Sequence, residues 1–187
     1  MDNIIFTHNG RFDLDYFATE DVCIDDIAHS LSRQCRFNGH VDKFYSVAQH
    51  SILVSYACPP SLALWGLLHD AHEAYMGDII RPVKKGNKAL LNLQFYIQSV
   101  ICKNYGLDTV EPCEVKKADD MVLEVELKSF FGGNPVIKPD SYSFAKELFL
   151  ARFKEILDEP DNERLIEIAS IRRSIERIAN TNQINKD

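Results

Sequence analysis

Residues 67–78, LLHDAHEAYMGD, place five ionisable side chains on a stretch whose other residues are mostly apolar. The spacing of the apolar residues predicts one helix over residues 61–76 that faces a core. Burying ionisable groups costs free energy unless they are paired with one another or bound to a metal. His69 and Glu73 share a face of such a helix, and Asp70 lies about 100° around it. The segment therefore predicts a metal site with a carboxylate base beside it.

Two further candidate ligands lie on other predicted helices. His50 falls on the apolar stripe of a helix predicted over residues 46–57. A single histidine there is more often a hydrogen-bonded core residue than a ligand, and that alternative stays open. Asp119 lies on the apolar face of a helix predicted over about residues 112–131, where an acid is unusual. Its alternative is a role at a helix end or in a salt bridge.

The order of these residues along the chain resembles a known ligand pattern. His50, then His69 with Asp70, then Asp119 resemble the H…HD…D signature of the HD superfamily of metal-dependent phosphohydrolases. The likeness is nearest to the nucleotidase branch, which includes bacterial 5'-deoxynucleotidases and small phage enzymes that hydrolyse dATP. It is carried by YSVAQHS (45–51), HDAHE (69–73), GD (77–78) with PVK (82–84), and KAD (117–119). A lone His-Asp pair is weak, but four ordered blocks are a strong signal.

The resemblance implies an all-α fold, the HD-domain helical bundle, and the residues add one detail. Asn9–Gly10 is a turn dipeptide between short β-prone runs, which predicts a small N-terminal β-hairpin. We expect a single domain over residues 1–187, because this length suffices for one core and is short for two. The HD core covers about 27–131, and C-terminal helices cover about 143–179. An isoleucine-rich face over residues 163–178 packs either on this core or in a subunit interface.

The resemblance also implies a cofactor and a set of chemical roles. A divalent metal cation would be held by His50, His69, Asp70 and Asp119. Imidazole and carboxylate ligands suit Zn, Co, Mn or Mg, and the sequence does not choose among them. Glu73 would act as a general acid or base. Asp78 would orient water or support a second metal. The resemblance does not make His72 a ligand, although its spacing offers one.

Basic residues flank the predicted site and favour an anionic substrate such as phosphate. Arg36 and Lys84 stand where the resembling family has basic residues, so they are predicted to bind phosphate. Lys85 belongs to the same run, and its alternative is an exposed lysine-rich loop. We expect residues 81–88 to form a loop.

The residues after Arg36 are predicted to select the base and the sugar. Phe37 stands where the resembling nucleotidases have an aromatic residue, and stacking on a base is worth roughly 1–3 kcal/mol. Asn38 and Gly39 would bring the backbone close to the sugar and exclude a 2'-hydroxyl group. The predicted substrate-binding loop consists of Arg36, Phe37, Asn38 and Gly39.

Two enzymatic functions follow from this pattern, and a third, non-enzymatic one stays open. The favoured function is metal-dependent hydrolysis of deoxynucleoside triphosphates, preferring dATP, to deoxynucleoside and triphosphate or by stepwise phosphate removal. Three phosphates need several cationic partners, and the NGRFD segment (9–13) looks like the bacteriophage enzymes. The alternative is a 5'-deoxynucleotidase acting on dNMPs. The less favoured third is a regulatory HD module that binds a nucleotide without cleaving it.

Charge and cysteine content narrow the partners. A net charge of −7 argues against a nucleic-acid-coating protein. Five scattered cysteines without a Cys-x-x-Cys pair indicate reduced thiols, which favours the cytoplasm, or the host cytoplasm for a phage protein. No segment approaches the roughly 20 apolar residues of a membrane span. The resembling enzymes tend to be homo-oligomers, so we expect the same here.

Overall fold

A computed structural model of the chain describes residues 3–157, which form a bundle of helices preceded by one β-hairpin. The hairpin consists of β1 (Ile4–Phe6) and β2 (Arg11–Asp13). The helices are α1 (Ile24–Arg33), α2 (Val47–Ala57), α3 (Ala63–Leu68), α4 (Glu73–Met76), α5 (Arg81–Lys84), α6 (Lys88–Asn104), α7 (Cys113–Phe130) and α8 (Tyr142–Ile156). The predicted all-α architecture with an N-terminal hairpin is confirmed. The helix predicted over residues 163–178 lies outside the described residues.

The hairpin is antiparallel and is tied to the helical bundle at its turn. Ile5 pairs with Phe12, and Phe12 turns its buried ring onto Phe17. Asn9 at the turn donates from its backbone and side-chain nitrogens to Asp26 Oδ1, at 2.9 Å in each case. Since Asp26 lies in the first turn of α1, the hairpin is fixed against the start of that helix.

Helix α2 lies at the centre of the bundle. It packs against α1, α3, α7 and α8, and apolar residues such as Val47 and Ile52 are buried on its different sides. Ser46 caps its first turn by accepting a hydrogen bond from the backbone of Gln49 at 3.1 Å. Because α2 is surrounded by other helices, a polar side chain in its middle faces protein instead of solvent. His50, in its middle, is completely buried.

The helix predicted over residues 61–76 is wrong as a continuous element. Helix α3 ends at Leu68, and the next residues wind more tightly before α4 begins. Backbone hydrogen bonds there join residues three apart, from Ala71 N to Leu68 O at 3.0 Å and from Glu73 N to Asp70 O at 3.0 Å. Three residues per turn replace 3.6, so side chains at i and i+3 lie above one another. Asp70 and Glu73 are therefore brought to the same side.

Residues 81–88 also differ from the predicted loop. They form the single-turn helix α5 and the start of α6. Pro82 lies in the first turn of α5, where its missing N–H is not needed. Ile80 O accepts hydrogen bonds from the backbone of Val83 and Lys84 at 2.9 and 3.1 Å, which closes the turn. The turn directs Lys84 toward the bundle.

All five cysteines are free thiols, as the sequence indicates. Over residues 3–157, the structure contains no helix that is both long enough and apolar enough to cross a membrane.

Gly66 allows α2 and α3 to approach closely. A Cβ atom at this position would lie 2.7 Å from Cys58 Sγ and 3.1 Å from the backbone Cα of Ser55. Both distances are shorter than ordinary van der Waals contact. The absence of a side chain at Gly66 therefore sets the distance between α2, which carries His50, and α3, which ends just before His69.

We expect Gly66→Ala to lower the free energy of unfolding. Overpacking costs about 1–3 kcal/mol, which exceeds the roughly 1 kcal/mol that alanine gains over glycine in a helix. Urea denaturation measures the difference. Gly10→Ala is the control, since its Cβ meets no atom within 4 Å. Equal unfolding midpoints for the two variants would contradict the close-packing argument.

Candidate metal centre

Four side chains predicted as metal ligands converge at the centre of the bundle. His50 comes from α2, His69 and Asp70 directly follow α3, and Asp119 comes from α7. His50 Nε2 lies 3.3 Å from both His69 Nε2 and Asp119 Oδ1. Asp70 Oδ2 lies 3.1 Å from His69 Nε2 and 3.7 Å from His50 Nε2. Residues far apart in the sequence, His50, His69 and Asp119, thus bring their donor atoms together, and Asp70 lies beside them.

Three of the distances, 3.1, 3.3 and 3.3 Å, match the spacing of neighbouring atoms in a first coordination shell. Ligand atoms about 2.1 Å from one cation are about 3.0–3.4 Å apart in octahedral or tetrahedral geometry. Two imidazole nitrogens that face each other at 3.3 Å also need either a proton or a cation between them. His50, His69 and Asp119 form a buried cluster that can hold a metal ion, and Asp70 adjoins it.

Both histidines are oriented by a hydrogen bond from the other ring nitrogen. His50 Nδ1 donates to Glu126 Oε1 at 2.6 Å, and His69 Nδ1 donates to the backbone oxygen of Gly66 at 2.8 Å. This arrangement leaves each Nε2 directed into the cluster. Histidines that bind metals commonly have such a partner, because it fixes the tautomer and the ring orientation.

Glu126 is a functional residue that sequence reasoning missed. Its carboxylate is completely buried and accepts hydrogen bonds from His50, from Tyr45 Oη at 2.8 Å and from Arg36 Nη2 at 2.9 Å. Burial favours the neutral carboxyl form, but His50 and Arg36 outweigh it and hold the pKa of Glu126 below its usual value. The signal was present: Glu126 lies on the same face of α7 as Asp119, seven residues later.

Asp119 divides its two carboxylate oxygens between the cluster and two basic residues. Oδ1 faces His50, whereas Oδ2 accepts from Arg81 Nη2 at 2.5 Å and from Lys116 Nζ at 2.9 Å. Burial alone would raise the pKa of Asp119, but the hydrogen bond from His50 and the charge of His69 hold it well below its usual value. Asp119 is therefore anionic, as a metal ligand must be.

The electrostatics of the cluster couple metal binding to a proton. Burial disfavours the charged imidazolium, yet the carboxylate of Asp70 raises the pKa of His69 to about 9. The pKa of Asp70 is correspondingly held well below its usual value, mainly by His69 against the effect of burial. His69 must lose its proton before its Nε2 can bind a cation.

The two predicted catalytic carboxyl groups lie beside the cluster. Glu73 is buried, and burial together with Asp70 and Asp78 raises its pKa to about 10. Gly77, at φ +84°, reverses the chain after α4, and the backbone of Asp78 then donates to Gln34 Oε1 at 2.9 Å. Burial also raises the pKa of Asp78. Glu73 is thus suited to hold a proton at neutral pH.

The predicted substrate-binding loop lies next to the centre, held by Arg36. The Arg36 side chain is largely buried, and its Nη1 is 3.9 Å from Asp70 Oδ2. The ring of Phe37 packs edge-on against Phe130 and Phe131. Asn38 and Gly39 are exposed. The structure thus places this loop beside the metal centre, while its binding of a substrate stays a prediction.

The two predicted lysines differ in position. Lys84 Nζ lies 3.6 Å from Glu73 Oε1, and the side chain is only 14% exposed. Lys85 is exposed at the end of α5, and no contact given by the structure brings it to the cluster. Arg81, which was not predicted as a site residue, contacts Asp119 of the cluster directly.

Comparison with known proteins identifies two relatives. YfdR of Escherichia coli K12, an uncharacterised protein, is 42% identical over 125 residues, which cover 66% of this chain and 70% of YfdR. The chain belongs to the YfdR family. An uncharacterised protein of Rhodobacter capsulatus is 38% identical over 118 residues, which cover 58% of this chain and 60% of that relative. No model of a known protein family matches the sequence. Membership of the YfdR family therefore establishes kinship without assigning a reaction.

We expect Glu126→Gln to weaken metal binding by about 10–100-fold, because the neutral amide no longer anchors His50 Nδ1 as a carboxylate does. Competition with a chromophoric chelator measures the affinity. Glu124→Gln is the matched control, since Glu124 is an exposed glutamate two residues earlier on α7. Unchanged affinity in Glu126→Gln would contradict the orienting role.

Proposed function

We propose that this protein is an HD-type metal-dependent phosphohydrolase that cleaves deoxynucleoside triphosphates, with dATP as the preferred substrate. One observation carries the proposal: His50, His69, Asp70 and Asp119 follow the H…HD…D order, and the Nε2 atom of each histidine lies 3.1–4.0 Å from that of the other and from an oxygen of both aspartates. A chance His-Asp pair would not be joined by a second histidine and a second aspartate from separate helices.

The donor set supports phosphoryl chemistry. A divalent cation held there supplies Lewis-acid catalysis, because it polarises a phosphoryl oxygen and lowers the pKa of a water molecule. Arg81 borders the cluster with a half-exposed side chain, and Lys84 reaches Glu73, beside the cluster, from α5. Basic groups beside the reacting phosphate neutralise charge that is redistributed during transfer. We assign phosphate binding to these two residues ahead of Lys85.

The carboxyl groups of Glu73 and Asp78 provide proton transfer in this proposal. Glu73 has its pKa raised to about 10 by burial and neighbouring carboxylates, so it holds a proton at neutral pH. A protonated carboxyl group beside the scissile bond donates to the leaving oxygen. Asp78, whose pKa is raised less strongly, then orients or deprotonates water. The two groups take complementary roles.

The backbone of the substrate-binding loop supports its assignment to base and sugar selection. Phe37 and Asn38 adopt left-handed conformations, at φ 55° and 52°, and Gly39 follows at φ 74°. A left-handed phenylalanine costs about 1–3 kcal/mol and is retained mainly where the surroundings or function require it. In our proposal Phe37 contacts the base, and the exposed backbone at Asn38 and Gly39 excludes a 2'-hydroxyl group.

We expect the metal-loaded protein to convert dATP to deoxyadenosine and triphosphate, and to leave ATP largely intact. Incubation with Co²⁺, Mn²⁺ or Mg²⁺ and each dNTP, dNMP and ATP, followed by ion-exchange chromatography, identifies the product. Asp70→Ala should lower the rate by about 10³-fold or more, since a ligand and its charge are lost. Asp15→Ala, an exposed aspartate after the hairpin, is the control and should retain activity.

The other outcomes separate the competing functions. Phosphate released only from dNMPs would assign the protein as a 5'-deoxynucleotidase. Equal hydrolysis of dATP and ATP would overturn the sugar selection assigned to the loop. Nucleotide binding without any product would favour a regulatory module, and full activity in a metal-loaded Asp70→Ala protein would remove the metal centre from the mechanism.

Lys84→Met tests phosphate binding while keeping the apolar stem of the side chain. We expect KM for dATP to rise about 10–100-fold, the loss corresponding to one charge-assisted hydrogen bond. The steady-state kinetics of dATP hydrolysis measure it, with Lys103→Met, an exposed lysine at the far end of α6, as control. An unchanged KM would place phosphate recognition on other residues.

A further inference from the structure

His72 has the hydrogen bonding of a metal ligand although it lies outside the first cluster. Gln98 donates its side-chain amide to Leu68 O at 2.9 Å, which turns Gln98 Oε1 toward His72. That oxygen accepts from the backbone N and the ring Nδ1 of His72, at 3.2 Å each. The proton is therefore on Nδ1, and Nε2 carries a lone pair.

His72 Nε2 and a carboxylate oxygen of the next residue both lack hydrogen-bonding partners in the described part of the chain. His72 is 2% exposed, and its Nε2 has no hydrogen-bonding partner in the described part of the chain. Glu73 Oε2 is buried and unpartnered in the same way. Single donor atoms of Asp70, His72 and Glu73 all lie within 4.8 Å of one another. Buried polar atoms without partners, on residues whose donor atoms cluster in this way, indicate a ligand that binds there.

We propose that Asp70, His72 and Glu73 form a second divalent-cation site that shares Asp70 with the first. The tight winding between α3 and α4 creates this geometry, because it places Asp70 and Glu73 on one side with His72 beside them. One imidazole and two carboxylates suit Mn²⁺, Co²⁺ or Zn²⁺. Two adjacent cations stabilise both the attacking and the leaving oxygens of a phosphoryl transfer. The site itself rests on donor geometry and does not depend on the substrate.

The charges around the second site support a cation there. The carboxyl groups of Asp70 and Glu73 both offer an oxygen atom to this site, and Lys84 Nζ lies 3.6 Å from Glu73 Oε1. A cation bound there would engage the carboxyl group of Glu73 as a ligand. Asp78 is then the carboxyl group that remains for proton transfer. Occupation of the second site therefore changes which residue moves the proton in the proposed reaction.

The test is a titration of the purified chain with Mn²⁺, followed by electron paramagnetic resonance and by elemental analysis after gel filtration. We expect two Mn²⁺ per wild-type chain at saturation, with a spin-coupled signal because the ions share Asp70. His72→Ala should bind one Mn²⁺ with an uncoupled six-line signal, or bind the second about 10–100-fold more weakly. His40→Ala, which removes an exposed histidine, should behave as wild type.

The outcomes separate this inference from the proposed function. One Mn²⁺ per wild-type chain at saturation overturns the second site, whatever the variants do, and leaves a buried water as the partner of His72. A second Mn²⁺ bound with wild-type affinity by His72→Ala, or by His72→Asn should the alanine variant unfold, also overturns it. Two coupled Mn²⁺ in a protein that cleaves no nucleotide would support the second site and remove the phosphohydrolase proposal.

Discussion

The buried carboxylate of Glu126 is the contact on which the arrangement of the centre depends. It joins α7 to α2 through His50 and to the substrate-binding loop through Arg36. Burying an ion pair of this kind adds little net stability, because the cost of desolvation offsets the attraction between the charges. The contribution of Glu126 is to fix positions. Its carboxylate holds three segments that are distant in the sequence, and it does so only within a narrow range of geometry. A metal ligand in the middle of a buried helix needs such a partner.

The tightly wound turn between α3 and α4 allows one short segment to supply donor atoms to two neighbouring clusters. An unbroken helix would present His69 and Glu73 on one face and direct Asp70 elsewhere. The tighter winding lets Asp70 contact His69 at 3.1 Å. Donor atoms of His72 and Glu73 also lie within 4.8 Å of a donor atom of Asp70. A single aspartate therefore belongs to two groups of donors. The close approach of α2 and α3 at Gly66 then brings His50 near His69 and Asp70 at the start of this turn.

The sequence predicted most of the helices and the residues of the candidate metal cluster, His50, His69 and Asp119, because apolar periodicity and the H…HD…D order are local or ordered signals. It did not predict the break after Leu68, since HDAH contains no glycine or proline to interrupt a helix. Glu126 was visible as an acid on an apolar face, but its role required knowing that this face meets His50. The tautomer of His72 likewise depends on Gln98, which lies 26 residues away. Features that depend on local propensity or on the order of residues were predictable, whereas features that depend on contacts between helices were not.

The centre also explains why basic residues surround a site for a cation. Arg36, Arg81 and Lys116 are each paired with a carboxylate of the centre or its support, so they are held in place before any ligand arrives. The exchange of one proton on His69 for a divalent cation raises the local charge by one unit. Arg36, with a side chain only 13% exposed, is fixed by its pairing with the buried Glu126 and cannot move away to offset this change. In the proposed function, the region around the centre would therefore become more attractive to an anion when a metal binds, which would couple loading of the centre to binding of a phosphate group.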